Sequence, residues 1–284
     1  MTRPYRSVLY IPASNARALE KARGLAADAI IFDLEDAVAP AEKAGARETL
    51  RAALAQDYGT RARIVRINGL DTEWGHADAA ALAGAADAIL VPKVSSPADL
   101  DAAAALVPDG PLWAMMETAA GMLNAAAIAA HPRLEGMVMG TNDLAKELGS
   151  RARPDRLPMQ AGLGLCLLAA RAHGRVIVDG VFNAYMDEDG LRAECQQGRD
   201  MGFDGKTLIH PAQLGTANAV FAPSQAEIDL ARRQIEAFDA AIAEGRAVAV
   251  VDGRIVENLH VETARRMLAL ADAIGAASGQ PAHG

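Results

Sequence analysis

The chain has 284 residues and a formal net charge of −8, with 51% hydrophobic and 23% charged residues. That balance is the one of a soluble globular protein, which argues against wholesale disorder and against a membrane protein. The acidity disfavours a nucleic-acid partner, whose phosphates demand a basic face.

The N-terminal residues Met1 to Ser7 lead directly into a short apolar run, without the long apolar core of a signal peptide. Strands are predicted at about 7–12, 29–34, 63–67, 88–92, 112–117, 136–140, 175–179 and 205–209. Alanine-rich segments carrying Glu, Lys and Arg lie between them, at about 16–27, 40–56, 76–85, 97–106, 119–130, 159–173 and 188–201, and have good helix propensity. Short, almost continuously apolar strands alternating with helices imply a parallel sheet covered on its faces. Eight such units predict an α/β fold of the (β/α)8 TIM-barrel type over residues 1–222.

Residues 223–284 form a predicted C-terminal extension: a helix at about 224–244, opened by Ser224 with Glu227 at capping-box spacing, then a hairpin turning at Asp252-Gly253, then a helix at about 260–274 and a loose Gly/Ser/Pro end. It exceeds what a barrel needs, so it is expected to pack on the barrel or a neighbouring subunit, or to cover the site. Cys166 and Cys195 sit in helix-like segments with no ligand spacing, as expected of reduced thiols in a cytoplasmic protein.

A TIM barrel keeps its chemistry at the C-terminal ends of its strands, and polar residues gather there. The second strand ends in Asp33, Glu35 and Asp36, the third in Arg66 and Asn68, and the fourth in Lys93. Glu117, then Gly140-Thr141-Asn142-Asp143, then Asp179 and His210 close the remaining four. Taken singly, each is as well explained by a helix cap or a solvated turn: Asp143 by capping a helix from Leu144, His210 by packing beside Pro211. Their convergence on one rim favours a site.

Glu117 and Asp143 end successive strands and can face one point, and two carboxylates with water and substrate oxygens completing the shell is a common way to hold Mg²⁺. No Cys/His set suggests zinc. Arg66 offers a planar fork for a carboxylate, and its alternative is a rim salt bridge to Glu35 or Asp36. A metal and an arginine facing one cavity suit a 2-oxo or 2-hydroxy acid.

Arg6-Ser-Val-Leu-Tyr-Ile-Pro12, Phe32-Asp-Leu-Glu-Asp-Ala-Val-Ala-Pro40 with Lys43 and Arg47, Val65-Arg-Ile-Asn-Gly69, Val91-Pro-Lys93, Met116-Glu-Thr118, Gly140-Thr-Asn-Asp-Leu144 and Ile209-His-Pro-Ala-Gln213 together resemble the citrate lyase beta subunit and malyl-CoA lyase family, the HpcH/HpaI aldolase group. The resemblance spans nearly the whole chain in order. It implies a homo-oligomer, trimer or hexamer, that uses Mg²⁺ on an acyl-CoA and a 2-oxo acid. It makes Glu117 and Asp143 the metal ligands, and Arg66 with Gly140 and Thr141 the oxo-acid contacts. Tyr10 and Lys21 fall near the substrate, and Ile209 and His210 beside the CoA chain. Asn15 stands where many relatives carry arginine, with Arg17 nearby. Glu257 stands where they carry the aspartate that acts as acid/base, and its extra methylene moves the carboxylate by about an ångström.

Carbon–carbon cleavage of a malyl-, citramalyl- or citryl-type thioester is the expected activity. Hydrolysis of a malyl-CoA-type thioester, a CoA-independent aldolase and a non-catalytic subunit are the alternatives. Asp33, Glu35 and Asp36 are expected to form an outer shell that bonds water around the metal and pairs with Arg66 or Lys93.

Overall fold

The structure, a computed structural model, describes residues 3–277. Contacts divide the chain into a barrel unit, Tyr5–Phe221, and a second unit made of its first residues and those from Ala222 onward.

In the barrel unit, eight parallel strands close in sequence order, with the first paired to both the second and the last. They are β1 (Ser7–Pro12), β2 (Ala29–Asp33), β3 (Ala62–Arg66), β4 (Ala88–Val91), β5 (Leu112–Met116), β6 (Leu134–Met139), β7 (Val176–Asp179) and β8 (Gly205–Leu208). The surrounding helices are α1 (Ala16–Ala22), α2 (Lys43–Leu54), α3 (Gly75–Leu82), α4 (Pro97–Leu106), α5 (Ala119–Leu123), α6 (Ala125–Ala129), α7 (Thr141–Glu147), α8 (Gln160–Ala172), α9 (Glu188–Met201) and α10 (Leu214–Phe221). This is the (β/α)8 barrel expected from the sequence.

Strand side chains alternate between two faces, and here the alternation separates two cores. Val8, Ile31, Ile64, Leu90, Trp113, Met115, Val138 and Val178 fill the barrel, while Leu9, Ile30, Phe32, Val65, Ile89, Met137 and Ile177 meet the helices. Trp113 takes so much of the interior that a Cβ on Gly136, its neighbour across the β5–β6 pair, would lie 2.5 Å from the indole ring. Continuing each interior row by two residues brings Tyr10, Asp33, Arg66, Glu117 and Gly140 to the C-terminal rim.

Some boundaries differ from the sequence reading. The segment 119–130 is two helices that meet at Asn124, whose side-chain amide donates to the Ser95 carbonyl at 2.8 Å and ties the junction to the loop after β4. The helix α10 has no counterpart among the helices expected from the sequence, because Leu-Gly-Thr-Ala-Asn-Ala-Val-Phe carries no charged face to set off its buried one. The helix α7 starts at Thr141, with Gly140 at its N-cap, so Asp143 lies inside its first turn and caps nothing.

The second unit contains α11 (Gln225–Ala243), the strands β9 (Ala249–Val251) and β10 (Arg254–Val256) in an antiparallel hairpin, and α12 (Asn258–Ala277). Ser224 and Glu227 form the capping box. Phe238, Ala241, Ala249, Val256 and Val261 pack as its core. The Gly/Ser/Pro end falls outside the described residues. Among the described residues, no helix is long and apolar enough to cross a membrane.

Candidate active site at the rim of the barrel

A cavity of about 320 Å³ opens at this rim, lined by Tyr10, Asp33, Arg66, Glu117, Thr141 and Asp143, among others. Strand register explains the first pairing in it. Asp33 and Arg66 are direct partners across β2 and β3, and both side chains point inward.

Arg66 Nε and Nη2 donate to the two oxygens of Asp33 at 2.8 and 2.6 Å. Each Asp33 oxygen accepts a further bond, from the backbone N–H of Glu35 or of Ala37. Nη1 of Arg66 donates to Asp36 at 3.3 Å and lies 2.9 Å from Glu35 Oε2, without hydrogen-bond alignment. Of the five guanidinium N–H donors, two go to Asp33 and one to Asp36, which leaves donors on the end that carries Nη1 and Nη2. The Tyr10 ring lies under the guanidinium, 5.0 Å from its carbon, a cation–π contact. Burial by itself would make Arg66 less basic, but Asp33 more than offsets this and its basicity is raised. Burial likewise pushes the Tyr10 phenol well above its ordinary range.

Glu117 follows the last residue of β5, and Gly140 follows the last residue of β6 beside it, its N–H donating to the Met116 carbonyl at 2.8 Å. Glu117 needs that glycine, since a Cβ at position 140 would sit 2.3 Å from Glu117 Cβ and 2.5 Å from Oε2. Oε1 accepts the backbone N–H of Lys93 at 2.8 Å. Burial, with the Glu35 charge next, raises the Glu117 carboxyl to about 7. Asp143 lines the same cavity half-buried, with no hydrogen bond or ion pair to its carboxylate among the described residues.

Among the described residues, no group of three or more His, Cys, Asp or Glu side chains is arranged to hold a metal ion. Glu117 and Asp143 are a pair, and any further ligands would have to be water or substrate.

The other predicted residues fall in different places. Glu35 is tied to Lys93 Nζ at 3.0 Å, and Asp36 is mostly exposed at the cavity edge. Gly140, Thr141 and Ile209 line the cavity. Lys21 is exposed on α1 and does not line it. The His210 ring stacks against Tyr185, 4.7 Å between centroids, and its Nδ1 accepts the Ala212 N–H. Glu257 is exposed at the entry to α12 in the second unit, where its N–H donates to His260 Nδ1.

Asp179, grouped with the rim acids in the sequence, instead points out of the barrel and is fully buried between Arg156, at 2.8 Å, and Lys206, at 3.2 Å. Its parity opposes that of Val178, which faces inward. Lys43 and Asp78 carry bonds behind the rim that rim position alone does not reveal; in the sequence Lys43 is marked only by the family resemblance, and Asp78 not at all.

Fold and cavity together define a class: a TIM barrel with an arginine and two under-bonded carboxylates in the rim pocket where such barrels hold their active sites. Within that class, the chain belongs to the HpcH/HpaI aldolase/citrate lyase family, whose model matches residues 6–211. It is 76% identical over 275 residues to a (3S)-malyl-CoA thioesterase of Cereibacter sphaeroides, covering 96% of each chain. It is 36% identical over 282 residues to the citrate lyase subunit beta of Leuconostoc mesenteroides, covering 94% of this chain and 93% of the other. A solved structure of CitE from Mycobacterium tuberculosis in complex with magnesium, acetoacetate and coenzyme A superposes with a TM-score of 0.79 at 33% identity, covering 94% of this chain and 97% of that one.

These relationships correct the expected activity. Carbon–carbon cleavage is the activity expected from the sequence, but a relative at 76% identity is named a thioesterase, and the lyase-named subunit stands at 36%. At 36% identity, a shared fold is compatible with different bond-breaking steps.

Proposed function

We propose that the protein hydrolyses a (3S)-malyl-CoA-type thioester, breaking the C–S bond with water to give malate and free CoA. The observation that carries this reading is the 76% identity, over 96% of both chains, to a protein named for that reaction.

The residues at the rim fit a bound Mg²⁺. Asp143 has an unengaged carboxylate, Glu117 has spent only one oxygen on a protein donor, and both line one cavity. Few protein ligands is the usual arrangement for this ion. When bound, Mg²⁺ supplies positive charge that polarises substrate oxygens.

The chain's own residues bind and orient. The free end of the Arg66 guanidinium receives the substrate carboxylate, while Asp33 holds its other edge and Tyr10 its face. Thr141 and Ile209 shape the wall. Glu257 is the candidate to move a proton, a role that rests on the family resemblance. A cytoplasmic location and a homo-oligomer belong to the same reading, the latter supported by Leu123 and Leu168, 81% and 71% exposed on the neighbouring helices α5 and α8.

Product analysis with Mg²⁺ and malyl-CoA tests the proposal. Free thiol and malate in equal amounts are expected, and Glu117→Ala or Asp143→Ala should abolish both. A 2-oxo acid with an acyl-CoA as the main products would overturn it, as would full activity in excess chelator.

A further inference from the structure

Arg66 is held from two sides, and only one of them is explained by strand register. Asp33 is fixed by the ladder, whereas Glu35 lies beyond the end of β2 and needs another anchor. Behind it is the buried Lys43, the first residue of α2. Its Nζ lies 2.9 Å from the Leu34 carbonyl, 2.8 Å from the Glu35 carbonyl and 2.5 Å from Asn68 Oδ1. Three acceptors match the three donors of an ammonium, so Lys43 is saturated without touching a carboxylate.

Successive carbonyls along a strand point to opposite sides. One ammonium can therefore bond both only where the chain has left the strand, and the two bonds fix the backbone on either side of that departure. Asn68 is itself fixed: its backbone N–H and its side-chain amide both donate to Asp78 Oδ2, at 3.1 and 2.6 Å. Asp78 is fully buried in α3 and accepts Arg47 Nε on its other oxygen at 2.7 Å. Lys43 and Arg47 are one turn apart on α2, so both ends of the relay are rooted in one packed helix.

We propose that Lys43 is a positioning residue for the binding arginine. By gripping the Leu34 and Glu35 carbonyls it sets the Glu35 side chain between Arg66 Nη1, at 2.9 Å, and Lys93 Nζ, at 3.0 Å. That placement aims the guanidinium at the substrate carboxylate. The identity of the substrate rests on the function proposed above; the positioning itself does not.

Lys43→Met keeps the apolar stem and removes the donors. In its crystal structure the Glu35 carboxylate is expected to have left Arg66 and Lys93. The KM for malyl-CoA should rise about tenfold or more, with a smaller change in kcat. In a Glu35→Gln background the same change should cost less than about threefold, because the two residues act through one route. A merely structural lysine would lower the melting temperature in both backgrounds and leave KM alone, which would overturn the proposal, as would independent, multiplying effects on KM. Should Lys43→Met not fold, Lys43→Gln, which loses the charge and one donor, carries the same expectations. If the wild-type protein fails to hydrolyse malyl-CoA, the substrate reading falls while the crystal structure still decides: an unmoved Glu35 carboxylate overturns the positioning role.

Discussion

Lys93 shows how densely the site uses single residues. Its φ of 52° is left-handed, a region that costs a side-chain-bearing residue roughly 1–2 kcal/mol. In return its backbone N–H reaches Glu117 and its ammonium reaches Glu35, so one residue ties together two acids that repel each other. Gly140 is under the opposite constraint, since it must have no side chain for Glu117 to stand where it does. Gly140→Ala should displace the Glu117 carboxylate by an ångström or so and cost about 100-fold in kcat/KM. The overpacking should also cost about 1–3 kcal/mol of stability, readable by denaturant titration. Wild-type kinetics in this variant would show that Glu117 is not needed in its present place.

Among the elements, β7 and α9 carry an ionic cluster that serves the barrel wall and not the cavity. Burial acting alone would raise the Asp179 carboxyl, but Lys206 and then Arg156 more than offset it and hold it below the usual range. Lys206 also donates to Glu194 at 2.6 Å, and Gln197 accepts from Arg156 Nε. Asp179→Asn would leave two buried cations short of a counter-charge, so a loss of about 3–5 kcal/mol in unfolding free energy is expected. The protein that remains folded should keep its KM. A change in KM without loss of stability would place Asp179 in the substrate site after all.

For the whole molecule, the raised Glu117 carboxyl couples stability to pH. Its value is about 7 in the fold, against 4.5 for the free group, so the folded state binds a proton more tightly than the unfolded chain. Metal-free protein should therefore lose stability as pH rises from about 4.5 to about 7, by up to about 3 kcal/mol from this group. Melting curves of wild type and Glu117→Gln across that range should diverge toward neutral pH, with the variant showing the flatter profile; parallel profiles would contradict the burial of an ionisable Glu117. Assembly is a separate question of scale. For the homo-oligomer proposed above, Leu168→Glu places a charge on the exposed apolar face of α8 and is expected to reduce the sedimentation coefficient toward that of a monomer, whereas an unchanged coefficient would count against an interface on this face.

The order of strands and helices was legible because strand and helix periods are local properties of the chain, and the rim acids were legible because they interrupt apolar runs. Asp33, Arg66 and Glu117 stood out in this way, each two residues beyond an interior side chain. Asp179 looked the same, yet it faces the helices, because one residue of parity separates the two faces of a strand. Lys43 and Asp78 gave no such mark, since their partners lie 8 to 25 and 10 to 31 residues away. As a string of residues, the chain establishes a (β/α)8 barrel and an acidic rim with one arginine, since these depend on period and residue type. Which acids remain open to a ligand, and which are consumed by Arg66, Lys93 or Lys206, was decided only by folding, because hydrogen-bond saturation is settled by groups that meet across the barrel.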